Sequence, residues 1–224
     1  MDTNRKLQGC SFSILGDSYS TYDGYIPEEY CHYYPNPDKV DDVLGVEDTW
    51  WKKLEQQYGM RLLVNDSYSG STVCNQVRES LPASSAFTIR TKECNFSSPD
   101  GEDPNYIIVF GGTNDDWLGR TIGAVQLQNW TDADLRCVLP AYCYALQNLK
   151  KRYPQSKIVT VANNEIDATL AEGIRCASEY FGCIHIPLKN IDKQNGHPTL
   201  RGMNKIATQI GEALCNAGTR TMHD

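Results

Sequence analysis

No run of apolar residues approaches the ~20 that a bilayer-spanning helix needs, so a transmembrane segment is not expected. A basic stretch is lacking too. Lys151-Arg152 has no longer basic run around it, and the chain carries 21 Lys and Arg against 28 Asp and Glu, a formal net charge of -7. A nucleic-acid binder needs a basic footprint, so that class is excluded. Met1 to Lys6 is polar and has no apolar h-region, which predicts a cytoplasmic protein; cleavage of a leader would place it in the periplasm or outside the cell. Leu7-Gln8-Gly9-Cys10 resembles a lipoprotein cleavage site, but no apolar segment precedes it. Close Cys pairs are also missing. The nine cysteines are an odd number without a CxxC spacing, which argues against a zinc site and a complete disulfide framework and for buried free thiols. Neither a linker-like stretch nor an internal repeat occurs. One domain over residues 1–224 is therefore expected, with 40% hydrophobic residues to build a core.

What is present is an alternation. Ser11 to Leu15, Arg61 to Val64, Tyr106 to Phe110, Lys157 to Val161 and Cys183 to Ile186 read as short apolar strands. Tyr106-Ile107-Ile108-Val109-Phe110 is apolar throughout, as suits a strand covered on both faces. Helices are predicted over Thr49 to Tyr58 (with Asp48 as N-cap), a short stretch at 71–80, Asp132 to Tyr153, Ala168 to Phe181, and Thr199 to Ala217 ended by Gly218. Residues 22–48 form an irregular excursion rich in Tyr, Pro and Asp, and 92–105 a polar loop. Strands alternating with helices imply an α/β protein with a mostly parallel sheet and helices on both faces. Ligands of such sheets bind beyond the carboxyl ends of the strands.

Four of those ends carry groups able to do chemistry. The first strand runs into Gly16-Asp17-Ser18, which places a serine hydroxyl in the crevice or makes a Ser/Asp helix cap. The second runs into Ser67-Tyr68-Ser69-Gly70-Ser71, where the Gly70 N–H is a candidate oxyanion donor or part of an ordinary turn. The third runs into Gly111-Gly112-Thr113-Asn114-Asp115, where the Asn114 amide is a second candidate donor. After the fifth comes Asn195-Gly196-His197-Pro198, with His197 placed to act as general base toward a serine. His32, His185 and His223 are weaker candidates: they fall in the aromatic excursion, within a strand and at the tail.

With Ser18, Gly70, Asn114 and His197 in this order, the chain resembles the GDSL/SGNH hydrolases, over residues 14–203. The resemblance implies a three-layer α/β/α sandwich, flavodoxin-like, with about five parallel strands. It also implies Ser18 as nucleophile, the Ser18 N–H, Gly70 N–H and Asn114 amide as oxyanion hole, and neither metal nor organic cofactor. One departure stands out. The family's Asp three residues before the His is Gln194 here, and the nearest upstream acid is Asp192. Asp192 is the expected third member if the loop bulges; otherwise a backbone carbonyl or Gln194 orients His197 in a Ser–His dyad. Gly24-Tyr25-Ile26-Pro27, Tyr33-Tyr34-Pro35 and Asp48-Thr49-Trp50-Trp51 look like a bacterial subgroup of the family.

The expected activity is hydrolysis of a small acyl ester through an acyl-enzyme. If the rings of Tyr22, Tyr25, Tyr30, Tyr33, Tyr34, Trp50 and Trp51 line the cleft rather than the core, the ester is on a carbohydrate, and the enzyme an O-acetyl esterase. A thioesterase or lysophospholipase, or a catalytically weak binding protein that keeps the fold, are the alternatives; no nucleic-acid or membrane partner is expected.

Overall fold

In a computed structural model the described residues are 6–39 and 42–217. Five parallel strands form one sheet: β1 (Ser11–Gly16), β2 (Arg61–Ser67), β3 (Tyr106–Phe110), β4 (Lys157–Ala162) and β5 (Ile184–Pro187), in the order β2-β1-β3-β4-β5. The chain moves outward from β1 to β2 and then returns to β3 on the other side of β1. That reversal leaves a crevice at the carboxyl ends of β1 and β3.

Alternate side chains of β3 sort into two cores, as a two-residue period requires. Tyr106, Ile108 and Phe110 pack with α1 (Trp50–Tyr58) and α6 (Leu200–Ala217), through Trp50, Trp51, Leu54, Ile206 and Ile210. Ile107 and Val109 face the other way, toward α2 (Phe87–Glu93), α4 (Val138–Arg152) and α5 (Ala168–Tyr180), through Phe87, Leu146, Leu149 and Ile174. The result is the expected α/β/α sandwich. A short helix α3 (Thr113–Trp117) follows β3, and a two-stranded antiparallel hairpin, β6 (Lys193–Gln194) and β7 (His197–Pro198), precedes α6.

Several expected boundaries move, each for a local reason. Residues 71–80 are not a helix. Their amides are drawn outward instead: Val73 and Cys74 N–H donate to the Asp115 carboxylate, and Asn75 N–H to the Leu135 carbonyl. The helix in that region is α2, which the sequence pattern did not announce. Thr49, not Asp48, caps α1, accepting from Lys52 N–H, while Asp48 accepts from Gly45 N–H. The long fourth helix begins at Val138 rather than Asp132, because Cys137 is extended and the Val138 and Leu139 N–H groups bond to the carbonyls of Thr121 and Ile122. Gly218 and His223 lie outside the described residues. All nine cysteines are free thiols, and among the described residues no helix is long and apolar enough to cross a membrane.

Candidate active site

Gly16 ends β1 because of space. A Cβ there would sit 2.4 Å from Ser67 Oγ and 2.9 Å from Ser20 Cβ. The close approach of β1 to β2 at this point brings the following turn over the crevice. Asp17 caps that turn, its Oδ1 accepting from Tyr19 N–H at 3.1 Å. Ser18 opens the turn, so its own N–H has no acceptor within it. Asp17 is buried, and burial raises its pKa to about 7. The helix-cap expectation thus holds for Asp17, while the neighbouring Ser18 hydroxyl points to His197, with 3.0 Å from Oγ to Nε2.

His197 is carried by the β6–β7 hairpin. Asn195 and Gly196 at its tip have φ of 51° and 78°. Two positive φ angles are what a two-residue hairpin turn needs, and Asn-Gly is the dipeptide that tolerates them best. Sequence reasoning treated this segment as a loop; the Asn-Gly pair was the signal that would have found the hairpin. The tight turn brings the Asn195 carbonyl within 3.2 Å of His197 Nδ1. A carbonyl only accepts, so Nδ1 carries the proton and Nε2 is left to accept from Ser18 Oγ–H.

The Asp192 carboxylate, the expected third member, does not meet His197 in the structure. That carboxylate lies 2.7 Å from Lys205 Nζ and 3.6 Å from Arg201 Nε, both on α6. The Lys205 hydrogen bond holds that carboxyl below its usual pKa. The bulge that would have let Asp192 reach the imidazole is absent, because the Asn-Gly turn closes the hairpin directly. Asp192 instead joins the hairpin to α6, its carbonyl also accepting from Thr199 N–H at 3.0 Å. Gln194 pairs with His197 across the ladder through the backbone.

An aromatic box takes up the space around the imidazole. Tyr33 stacks face to face on it, with centroids 3.5 Å apart and planes 4° from parallel. Tyr19 and Trp117 meet it edge-on at 5.4 Å and 5.7 Å. Burial lowers the His197 pKa to about 4; the Asn195 carbonyl acts against this, and the Lys39 and Lys193 cations add to it. Of these three rings Tyr33 comes from the excursion, which is fastened to the hairpin. Tyr34 Oη donates to the Pro198 carbonyl at 2.7 Å and Asn195 Nδ2 to the Lys39 carbonyl at 3.1 Å. From the opposite side, Tyr19 Oη donates to the Gly196 carbonyl at 2.6 Å, and Lys193 Nζ bonds Asn163 Oδ1 at 2.6 Å and Glu165 at 2.8 Å.

The other two strand ends close the site. Gly70 adopts φ +82°, and its N–H donates to no acceptor among the described residues. Asn114, in the first turn of α3, is buried, and its Nδ2 donates to the Ser71 carbonyl at 3.0 Å. One of its two amide hydrogens is thereby used and one remains. Arg90 ties the end of β1 to the loop after β2. Fully buried, it donates through Nη2 to the Gly16 carbonyl at 3.1 Å and to Ser71 Oγ at 2.9 Å, and through Nη1 to the Asp66 carbonyl. It also faces the Asp66 carboxylate at 3.5 Å. Arg90 announced no role in the sequence, because the Gly16 carbonyl it holds lies 74 positions away; Tyr33 was one of seven rings expected to line either cleft or core, and its meeting with His197, 164 positions away, was not legible.

Most of the seven rings expected at cleft or core pack inward: Tyr22, Tyr33 and Tyr34 of the excursion and Trp50 and Trp51 of α1 all belong to the core. The ring left open beside His197 comes from another segment. Trp117 is 44% exposed. Next to the hairpin a depression of about 460 Å³ is lined by Asp38, Lys39, Gln194 and Asn195.

The family model described as GDSL-like lipase/acylhydrolase matches residues 10–214. No curated protein sequence matches the chain. Among solved structures, one assigned as a GDSL-like lipase from Bacteroides uniformis is 39% identical with a TM-score of 0.84, over 93% of this chain and 96% of that one. A second so assigned, from Bacteroides ovatus, is 34% identical with a TM-score of 0.83, over 96% and 100%. A family two carbohydrate esterase from Cellvibrio japonicus shares the fold at 14% identity and a TM-score of 0.60, over 94% of this chain and 62% of that one.

Proposed function

This chain belongs to the GDSL-like lipase/acylhydrolase family, hydrolases of ester bonds, and from that membership we propose that it removes small acyl groups, acetyl above all, from a carbohydrate by means of a Ser18–His197 dyad. The observation that carries the dyad is the 3.0 Å contact between Ser18 Oγ and His197 Nε2, with the tautomer set by the Asn195 carbonyl.

In this mechanism Ser18 Oγ attacks the ester carbonyl while Nε2 takes its proton. The negative charge gathers on the former carbonyl oxygen, toward the Ser18 N–H, the Gly70 N–H and the free Asn114 amide hydrogen. The imidazolium then returns the proton from Nε2 to the departing alcohol, leaving an acyl-serine. Water repeats the sequence, and the acid leaves. A carboxylate behind the base normally holds the tautomer and stabilises the imidazolium. Here the Asn195 carbonyl does the first, and the face of Tyr33 contributes to the second, since a cation over an aromatic face is attracted to it.

Support for a carbohydrate comes from the surroundings. Trp117 is a half-exposed ring beside the base, and the depression on the excursion side of the hairpin is lined by an acid, a lysine and two amides, groups that hydrogen-bond hydroxyls. The test compares acetate release from an acetylated oligosaccharide with hydrolysis of p-nitrophenyl octanoate, an acetyl thioester and a lysophospholipid. The expected result is the highest kcat/KM on the acetylated sugar. In Trp117→Ala its KM should rise by about tenfold, a loss of ~1.4 kcal/mol, and by more than the KM for p-nitrophenyl acetate does. Faster turnover of the octanoyl ester, the thioester or the lysophospholipid than of the sugar ester contradicts the substrate class.

A further inference from the structure

The side chain of Arg78 lies against both loops that would hold the oxyanion. Its Nη2 donates to Asn114 Oδ1 at 3.2 Å. Its Cδ and Nε are 3.5 Å from the position a Cβ would take on Gly70. The Nε atom is buried without a hydrogen-bond partner, and no carboxylate among the described residues forms an ion pair with this guanidinium. The side chain as a whole is half-buried, and a cation whose Nε is withdrawn from water with no counter-charge beside it exerts a field that the neighbouring groups feel.

The Asn114 amide shows where that field falls. Its oxygen accepts from Arg78 and its nitrogen donates to the Ser71 carbonyl, so the two bonds fix which end is which. A cation on the amide oxygen draws electron density toward it and makes the remaining N–H a stronger donor, as hydrogen bonds in a chain polarise one another. That effect grows as negative charge gathers on the substrate oxygen.

We propose that Arg78 is the positioning residue of the oxyanion hole: through Asn114 Oδ1 it orients and polarises the amide and sets a positive charge behind the developing oxyanion. Arg78 touches no reacting atom in this arrangement. The inference rests on the Ser18–His197 esterase reading. It predicts that Arg78 matters to the transition state, hence to kcat, and little to substrate binding.

The experiment measures kcat and KM on p-nitrophenyl acetate for wild type, Ser18→Ala, Asn114→Ala, Arg78→Met, Arg78→Lys and the double variant Arg78→Met/Asn114→Ala. A wild-type rate no higher than that of Ser18→Ala removes the esterase reading itself, before any Arg78 variant is compared. With that rate in hand, Asn114→Ala is expected to lose about 10²-fold in kcat, as for other oxyanion donors. Arg78→Met should lose about tenfold in kcat with KM within about threefold, the signature of an interaction made in the transition state. Arg78→Lys, which keeps the charge, should recover most of the loss. The double variant should be no slower than Asn114→Ala alone, because coupled residues are not additive. Thermal melts of each variant separate this from misfolding, and Arg78→Lys serves where Arg78→Met melts early. A wild-type kcat in Arg78→Met overturns the proposal. So does a double variant slowed by the product of the two single losses, which would mean that Arg78 acts on the substrate directly.

Discussion

Burial and two nearby lysines lower the His197 pKa to about 4, and the consequence for activity has a definite sign. The base is neutral, hence competent, above that value, so kcat/KM should stay level from neutral pH down to about 5 and fall with an acid-limb midpoint near 4. A midpoint near the ordinary 6.5 would mean that the imidazole is better solvated or faces a carboxylate. The same shift bears on stability. The folded chain holds this proton less tightly than the unfolded chain, so the contribution of His197 is present above pH 6.5 and is lost as pH falls toward 4. Tyr33 supplies the second residue-scale expectation. An aromatic stack is worth about 0.5–1.5 kcal/mol, so Tyr33→Leu should slow kcat by about three- to tenfold, while Tyr33→Phe keeps the face and the rate. Equal rates in wild type and Tyr33→Leu would show that the stack only fills space.

The β6–β7 hairpin is the element on which the base depends. Gly196→Ala puts a Cβ on a residue at φ +78°, 3.1 Å from the Trp117 ring. Left-handed backbone costs an L-residue about 1–2 kcal/mol, and urea unfolding should show a loss of that size. Activity should fall further than stability accounts for, because the Asn195 carbonyl moves with the turn. Full activity in Gly196→Ala would mean that the carbonyl does not set the tautomer. The hairpin also shows where legibility stopped. The contact between Ser18 and His197 was legible because each follows a strand and sits in a short local pattern. The hairpin was legible in principle from Asn195-Gly196. Asp192 was misplaced because sequence distance says nothing of which side chain wins a carboxylate, and Lys205 lies one helical turn beyond Arg201 on the face that meets it. The helix expected at 71–80 failed for a related reason: its amides are claimed by Asp115, some 40 residues away.

Across the molecule, the strands and the mostly parallel sheet followed from apolar runs and their alternation with helices, since a parallel sheet buried on both faces leaves that mark. Most walls of the site did not, because Arg90, Arg78 and Lys193 act through long-range contacts that no local pattern encodes. The nine free thiols give a check at this scale: with no disulfide to lose, the melting temperature should shift by less than about 1 °C on adding a reductant. A drop of several degrees would reveal a disulfide in the native protein. The central claim is that four strand ends assemble a Ser–His dyad whose base is oriented by a backbone carbonyl and not by an acid. Turnover of p-nitrophenyl acetate by Asp192→Asn, set against wild type and Ser18→Ala, tests it most directly. The account predicts that Asp192→Asn keeps the wild-type rate within about threefold while Ser18→Ala falls to background; a loss of ~10⁴-fold in Asp192→Asn, the cost of removing a triad acid, would contradict it.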